Sequence, residues 1–171
     1  MKIEGTKKKT LNLFKQSDVA HPGVFGGVRD MQDINYNTTE LELLAKKYNL
    51  RFIVLHGSYA TGKARPDSDV DIAAVANGTI PLKVQLSLHG QISNLFKDKV
   101  IREIDFKLLN DTDSLFRYQV VRDGVLLYGS HTDYEEYKAV AYRMYEDAKS
   151  LRELEQLLVQ RYQHHLNQYY A

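Results

Sequence analysis

Cysteine is absent from this sequence, which excludes disulfides and thiolate metal sites. An excess of either charge is missing too, with 23 basic residues against 22 acidic ones and a formal net charge of +1. Proteins that grip long polynucleotides carry a larger basic excess, so long DNA or RNA is not the expected partner. No apolar run approaches the ~18 residues that a membrane helix needs. Lys2 and Lys7 to Lys9 have no apolar stretch after them, so the N-terminus does not read as a signal peptide. These absences lead to the expectation of a cytoplasmic protein that does not enter a membrane. Hydrophobic residues make up 43% of 171, enough for one folded domain with a core and hardly enough for two.

Residues 1–37 read as an N-terminal arm or loop region. Their glycine-bearing run, His21-Pro22-Gly23-Val24-Phe25-Gly26-Gly27, lacks the Lys-Ser/Thr ending of a Walker loop. Thr39 and Glu42 fit a capping box, and Leu41, Leu44, Ala45 and Tyr48 follow at helical spacing. Arg51 to Leu55 reads as a strongly apolar strand, and Asp69 to Val75 as a second one after a polar, Gly-bearing turn. Pro81 opens a helix that runs to Phe96. Val100 to Leu109 alternates like a strand, 112–122 look helical, and Val125 to Tyr128 suits a brief edge strand. From Thr132, with Glu135 as a second capping box, no Gly or Pro interrupts the chain. Tyr137, Ala141, Met144, Ala148, Leu151, Leu158 and Tyr162 form a stripe at steps averaging ~3.5 residues. A single helix of that length would extend ~50 Å. Its far half must fold back, pair with another subunit or lie on a partner. The organisation expected is therefore an arm (1–37), a domain (38–130) and a helical extension (131–171).

The stretch from Leu55 to Ile72 carries the chemistry. Gly57-Ser58 stands where a buried strand ends and a turn begins. Backbone N–H groups and the Ser58 hydroxyl there can bind phosphate oxygens, and Gly57 permits close approach. Asp69 and Asp71 are two apart on a strand, so they share a face. Side-by-side carboxylates need a shared cation or many hydrogen bonds to stay ionised. On the later strand Ile104, Phe106 and Leu108 form an apolar face, and Glu103, Asp105 and Lys107 lie opposite. If the strands are neighbours, Asp105 joins Asp69 and Asp71. Three oxygen ligands without His or Cys suit a hard ion such as Mg²⁺ that takes up substrate phosphates, and two such ions suit nucleotidyl transfer.

Gly57-Ser58, ten residues, then Asp69-Val70-Asp71 resembles the signature of the DNA polymerase beta-like nucleotidyltransferase superfamily, and the surrounding residues resemble its minimal nucleotidyltransferase branch. Asp105, and Gly124 to Tyr128 near the end of the domain, match further features of that branch. The resemblance covers about residues 38–130. It implies an α+β fold, a small mixed sheet with helices packed on one side, followed here by a long C-terminal helix or helices. It implies that Asp69 and Asp71 ligate Mg²⁺, that Asp105 completes the catalytic triad, and that Gly57 and Ser58 hold the phosphates of an NTP, with ATP favoured. Tyr59 and Thr61 stand where members often carry arginines, and Lys63 or Arg65 would substitute for them. The resemblance further implies transfer of a nucleoside monophosphate to a protein, as in antitoxins that act with a helical HEPN-type toxin. Residues 132–171 would then meet that partner, or a second copy in a homodimer. The rival readings are an aminoglycoside-type small-molecule nucleotidyltransferase and a catalytically silent antitoxin that binds nucleotide and masks its partner.

Other residues carry plainer readings. Asp67 suits the turn after Pro66. Glu103 shares the face of Asp105 and is its rival. His56 reads as a packing residue at a strand end. His164 and His165 point about 100° apart on a helix, which suits a solvated face. Most of the twelve tyrosines read as packing or interface groups.

Overall fold

A computed structural model describes residues 8–10, 34–65, 67–96 and 103–170. The glycine-bearing run 21–27 lies outside them. Strand β1 (Lys8–Thr10) pairs antiparallel with β2 (Asn35–Asn37), so part of the expected arm is strand. Helix α1 (Thr38–Lys47) follows directly. Its N-cap is Asn37, whose side chain accepts from the N–H groups of Thr39 and Glu40. The cap therefore lies two residues before the expected Thr39, because an asparagine was available to take the free donors of the first turn.

Four strands form the central sheet: β3 (Leu50–His56), β4 (Val70–Ala76), β5 (Ile104–Leu108) and β6 (Val125–Gly129). Their order is β5-β4-β3-β6. β3 runs antiparallel to both β4 and β6, and β4 runs parallel to β5. The parallel pair needs a crossover, which helix α3 (Leu82–Leu95) supplies. Helix α2 (Gly57–Ala60) is a single turn after β3. A 3₁₀ turn (Leu109–Asp111) and helix α4 (Ser114–Asp123) lead from β5 to β6.

The mixed sheet and the long C-terminal helices are as expected, but helices cover both faces of the sheet rather than one. Ile53, Leu55, Ile72 and Ala74 pack with Leu41 and Leu44 of α1 and Leu88 and Ile92 of α3. Phe52, Val54, Ala73 and Val75 pack with Val120 and Val121 of α4, and with Tyr134 and Ala141 of helix α5 (His131–Asp147). The reason lies in β3 and β4, where residues of both parities are apolar and buried. A sheet that is apolar on both sides needs a layer on each.

Helix α5 is capped by Ser130, whose hydroxyl accepts from Asp133 N–H, two residues ahead of the expected Thr132. It belongs to the core. Phe52 meets the rings of Tyr134 and Tyr137 edge-on, at 5.4 and 5.0 Å. The buried Tyr134 hydroxyl lies 3.2 Å from the Val121 carbonyl and 3.1 Å from that of Gly124, tying α5 to the α4–β6 corner. Removing this donor leaves those carbonyls short of a partner. Tyr134→Phe is expected to cost about 1–2 kcal/mol of stability, read from the midpoint of urea unfolding. An unchanged midpoint would show that the corner holds without it.

The C-terminal stripe divides in two at Ala148. Its first half faces the core through Tyr137 and Ala141. Helix α6 (Lys149–Tyr170) continues outward and buries none of its described side chains. Its root is held by an aromatic stack: Arg152 lies over the Tyr145 ring at 3.9 Å, and Tyr145 stacks on Tyr118 at 4.5 Å. Beyond the root, Leu151, Leu154, Leu158 and Tyr162 are each more than half exposed. Among the described residues, no helix is long and apolar enough to cross a membrane.

Candidate active site

The register of the sheet assembles the polar row. His56, the last residue of β3, stands opposite Asp71 of β4, and Asp71 stands opposite Asp105 of β5. All three continue the face that carries Phe52, Val54, Ala73 and Val75, the face covered by α4 and α5. Adjacent strands lie ~4.8 Å apart, so Asp71 and Asp105 are immediate neighbours. The alternation of β5 fixes its register against β4, since a slip of one residue would carry Ile104 and Phe106 to the polar face.

Asp69 is exposed and stands just before β4, two residues from Asp71. The Asp71 carboxyl is held above its usual range by burial first, then by the negative charges of Asp105 and Asp69, and Lys107 opposes them. Lys107, two residues after Asp105 on β5, places its Nζ 3.0 Å from Asp105 Oδ2. The same ammonium lies 5.3 Å from the centre of the Phe116 ring of α4. Phe116 meets the His56 ring edge-on at 6.0 Å. Burial lowers the His56 pKa to about 4, so the imidazole is neutral at physiological pH and adds no charge. Its packing contact agrees with the plain reading of this residue.

Gly57 begins α2 with φ of 70°, a conformation that glycine adopts without the Cβ penalty. A Cβ added there would lie 2.1 Å from Asp71 Oδ2. The glycine therefore permits both the turn and the approach of its backbone to the carboxylate. Ser58 is half-buried in the same turn. The Thr61 hydroxyl lies 3.0 Å from the Gly57 carbonyl and 3.3 Å from that of Ser58, where it donates and closes α2. Lys63 and Arg65 are exposed on the loop to β4, with their backbones tied down. Lys63 N–H donates to the Ser58 carbonyl, and Arg65 N–H to the Ser68 hydroxyl. Glu103 is exposed just before β5, and its carbonyl accepts from Val70 N–H.

The fold thus brings Gly57, Ser58, Asp69, Asp71 and Asp105 to one end of the sheet. Lys63 and Arg65 stay on the neighbouring loop. Two further side chains enter that the sequence reading gave no role. Lys107 sat on the face of Asp105 by its spacing alone, but its pairing with that carboxylate is tertiary. Phe116 arrives from a separate helix and carries no local signal. Among the described residues, no three His, Cys, Asp or Glu side chains converge as a ready-made ion cage. The donors present are carboxylate oxygens, the type that suits a hard cation, and among the described residues the Lys107 ammonium stands 3.0 Å from one of them.

The chain is similar to known proteins in sequence and in fold. Protein adenylyltransferase MntA of Shewanella oneidensis is 27% identical over 123 residues, which is 72% of this chain and 86% of that protein. A crystal structure of a toxin–antitoxin complex with AMP-PNP matches with a TM-score of 0.61 at 25% identity, covering 72% of this chain and 98% of the matched one. A complex of a tri-AMPylated Shewanella oneidensis HEPN toxin with its MNT antitoxin matches with a TM-score of 0.56 at 22% identity, over 72% of this chain and 95% of the other, a likeness of fold. Residues 40–133, more than half of the chain, match the family described as polymerase beta nucleotidyltransferase, and the chain belongs to that family.

Proposed function

We propose that this chain transfers AMP from ATP to a protein acceptor, a helical partner of the HEPN type. The observation that carries the reading is the register pairing of Asp71 with Asp105 beside Gly57, in a chain similar to a protein adenylyltransferase. An ATP donor also places the activity in the cytoplasm. Gly57 and Ser58 would hold phosphate oxygens, with Lys63 and Arg65 reaching the triphosphate from the loop. Asp69, Asp71 and Asp105 would hold Mg²⁺, two ions in all, which when bound neutralises phosphate charge. The acceptor oxygen attacks the α-phosphorus, the bond to pyrophosphate breaks, and the acceptor proton passes to Asp105.

The test is incubation of the full chain with radiolabelled ATP, Mg²⁺ and a purified helical partner. Label on the partner is expected. Asp69→Ala combined with Asp71→Ala should remove both the label and the Mg²⁺-dependent part of ATP binding. Unchanged Mg²⁺-dependent binding in the double variant would place the metal site elsewhere.

The exposed stripe of α6 is the surface proposed for the partner. A chain ending at Leu151 is expected to unfold within a few degrees of the full chain, because α6 buries none of its described side chains. The same truncation should abolish capture of the partner. A homodimer through α6 would instead appear as a fall in mass by light scattering. If the truncation changes neither mass nor capture, α6 is not an assembly surface.

A further inference from the structure

Among the described residues, the carboxylates of the row are not equally supplied with counter-charge. Asp105 has a resident cation, the Lys107 ammonium 3.0 Å from its Oδ2. The two residues stand i and i+2 on β5, so the strand itself places both on one face. Phe116 backs the lysine from α4, with its ring centre 5.3 Å from the ammonium. His56 meets the Phe116 ring edge-on at 6.0 Å. Both partners of the pair are about half exposed, 49% for Lys107 and 47% for Asp105, so the lysine has room to swing into solvent.

A divalent ion that binds Asp105 must displace this ammonium or sit beside it. Either route costs the ion affinity, by the lost pair or by repulsion at short range. We propose that Lys107 is the built-in counter-cation of Asp105 and competes with a divalent ion for that carboxylate. The acceptor side of the site then takes up metal only when Lys107 swings away. The negative charge of a bound triphosphate favours that exchange, because it strengthens the hold on a divalent ion more than on a single ammonium. Lys107 thereby couples metal loading at Asp105 to the arrival of nucleotide. This rests on the reading of Asp69, Asp71 and Asp105 as metal-binding carboxylates.

The test uses Mn²⁺ as the probe. Free Mn²⁺ is counted by electron paramagnetic resonance during titration of the full chain without nucleotide. Lys107→Met and Lys107→Gln are expected to tighten Mn²⁺ binding about fivefold or more. Lys107→Arg should bind Mn²⁺ like the parent chain. Adding Asp105→Asn to Lys107→Met should cancel the gain. Unchanged or weaker binding in both neutral variants, with Asp71→Asn still abolishing Mn²⁺ binding, would overturn the competition and leave the site standing. Mn²⁺ binding that survives Asp71→Asn would overturn the metal-site reading, and this proposal with it.

Discussion

Asp105→Asn is expected to lower transfer by ~10²-fold or more, the low end for loss of a general base, while nucleotide affinity stays within a few-fold. The substitution keeps size and shape and removes the charge that takes the acceptor proton. That charge matters mainly in the transition state. Asp71 lies between the other members, register-paired with Asp105 and beside the Gly57 turn, so Asp71→Asn should damage both binding and transfer. The two variants should also part company in stability. Burial and two neighbouring carboxylates hold the Asp71 carboxyl above its usual range. A group raised in this way stabilises the fold below the ordinary carboxylate range, and that contribution is lost as pH rises through its folded pKa. Above the ordinary carboxylate range Asp71 therefore burdens the fold, and Asp71→Asn should raise the thermal midpoint while transfer is lost. Calorimetric nucleotide titration, single-turnover transfer and thermal unfolding of the two variants decide. Equal loss of binding in both would refute the division of roles. Normal transfer by Asp105→Asn would remove it from the site and make Glu103 the next residue to test.

Gly57→Ala is expected to damage transfer by moving Asp71. Its Cβ would lie 2.1 Å from Asp71 Oδ2 and 2.9 Å from Cγ, so the carboxylate must move. The backbone φ of 70° adds strain of about 1–2 kcal/mol for a residue other than glycine. A catalytic group displaced by ~1 Å can cost 10²-fold in rate, and a loss of transfer of that order is expected with the fold retained. Gly78→Ala is the control. Its φ is 131°, and an added Cβ meets nothing within 4 Å. It should lower stability and leave transfer intact. A Gly57→Ala protein that loses stability alone would show that the position of Asp71 is not critical to the chemistry.

The pattern of apolar residues pointed to the elements and to the residues of the row, but not to how the strands pair. Alternation along 103–109 placed Asp105 and Lys107 on one polar face, and β5 shows that alternation in the burial of Ile104 and Phe106. Whether β5 lay beside β4 was a condition the sequence left open. The parallel pairing and its register met it. The caps were misplaced by two residues at Thr39 and Thr132, because Asn37 and Ser130 offered side-chain oxygens closer to the helix starts. The one-sided helix layer failed for a nonlocal reason. A buried strand reads as a plain apolar run, and the run does not say how many layers cover it.

Local chemistry by itself determined the Gly57-Ser58 turn and the exclusion of thiolate or disulfide chemistry, since a local glycine turn or the lack of a residue type needs no partner from elsewhere, whereas Asp69, expected on the strand with Asp71, stands just before it. Tertiary structure alone decided which cation answers which carboxylate, that Gly57 presses against Asp71, that Phe116 and His56 wall the site, and that the C-terminal stripe enters the core at Tyr137 and Ala141 and is exposed along α6. Those facts depend on contacts between segments far apart in the chain, and such contacts follow from how the two faces of one sheet are covered rather than from any stretch read alone.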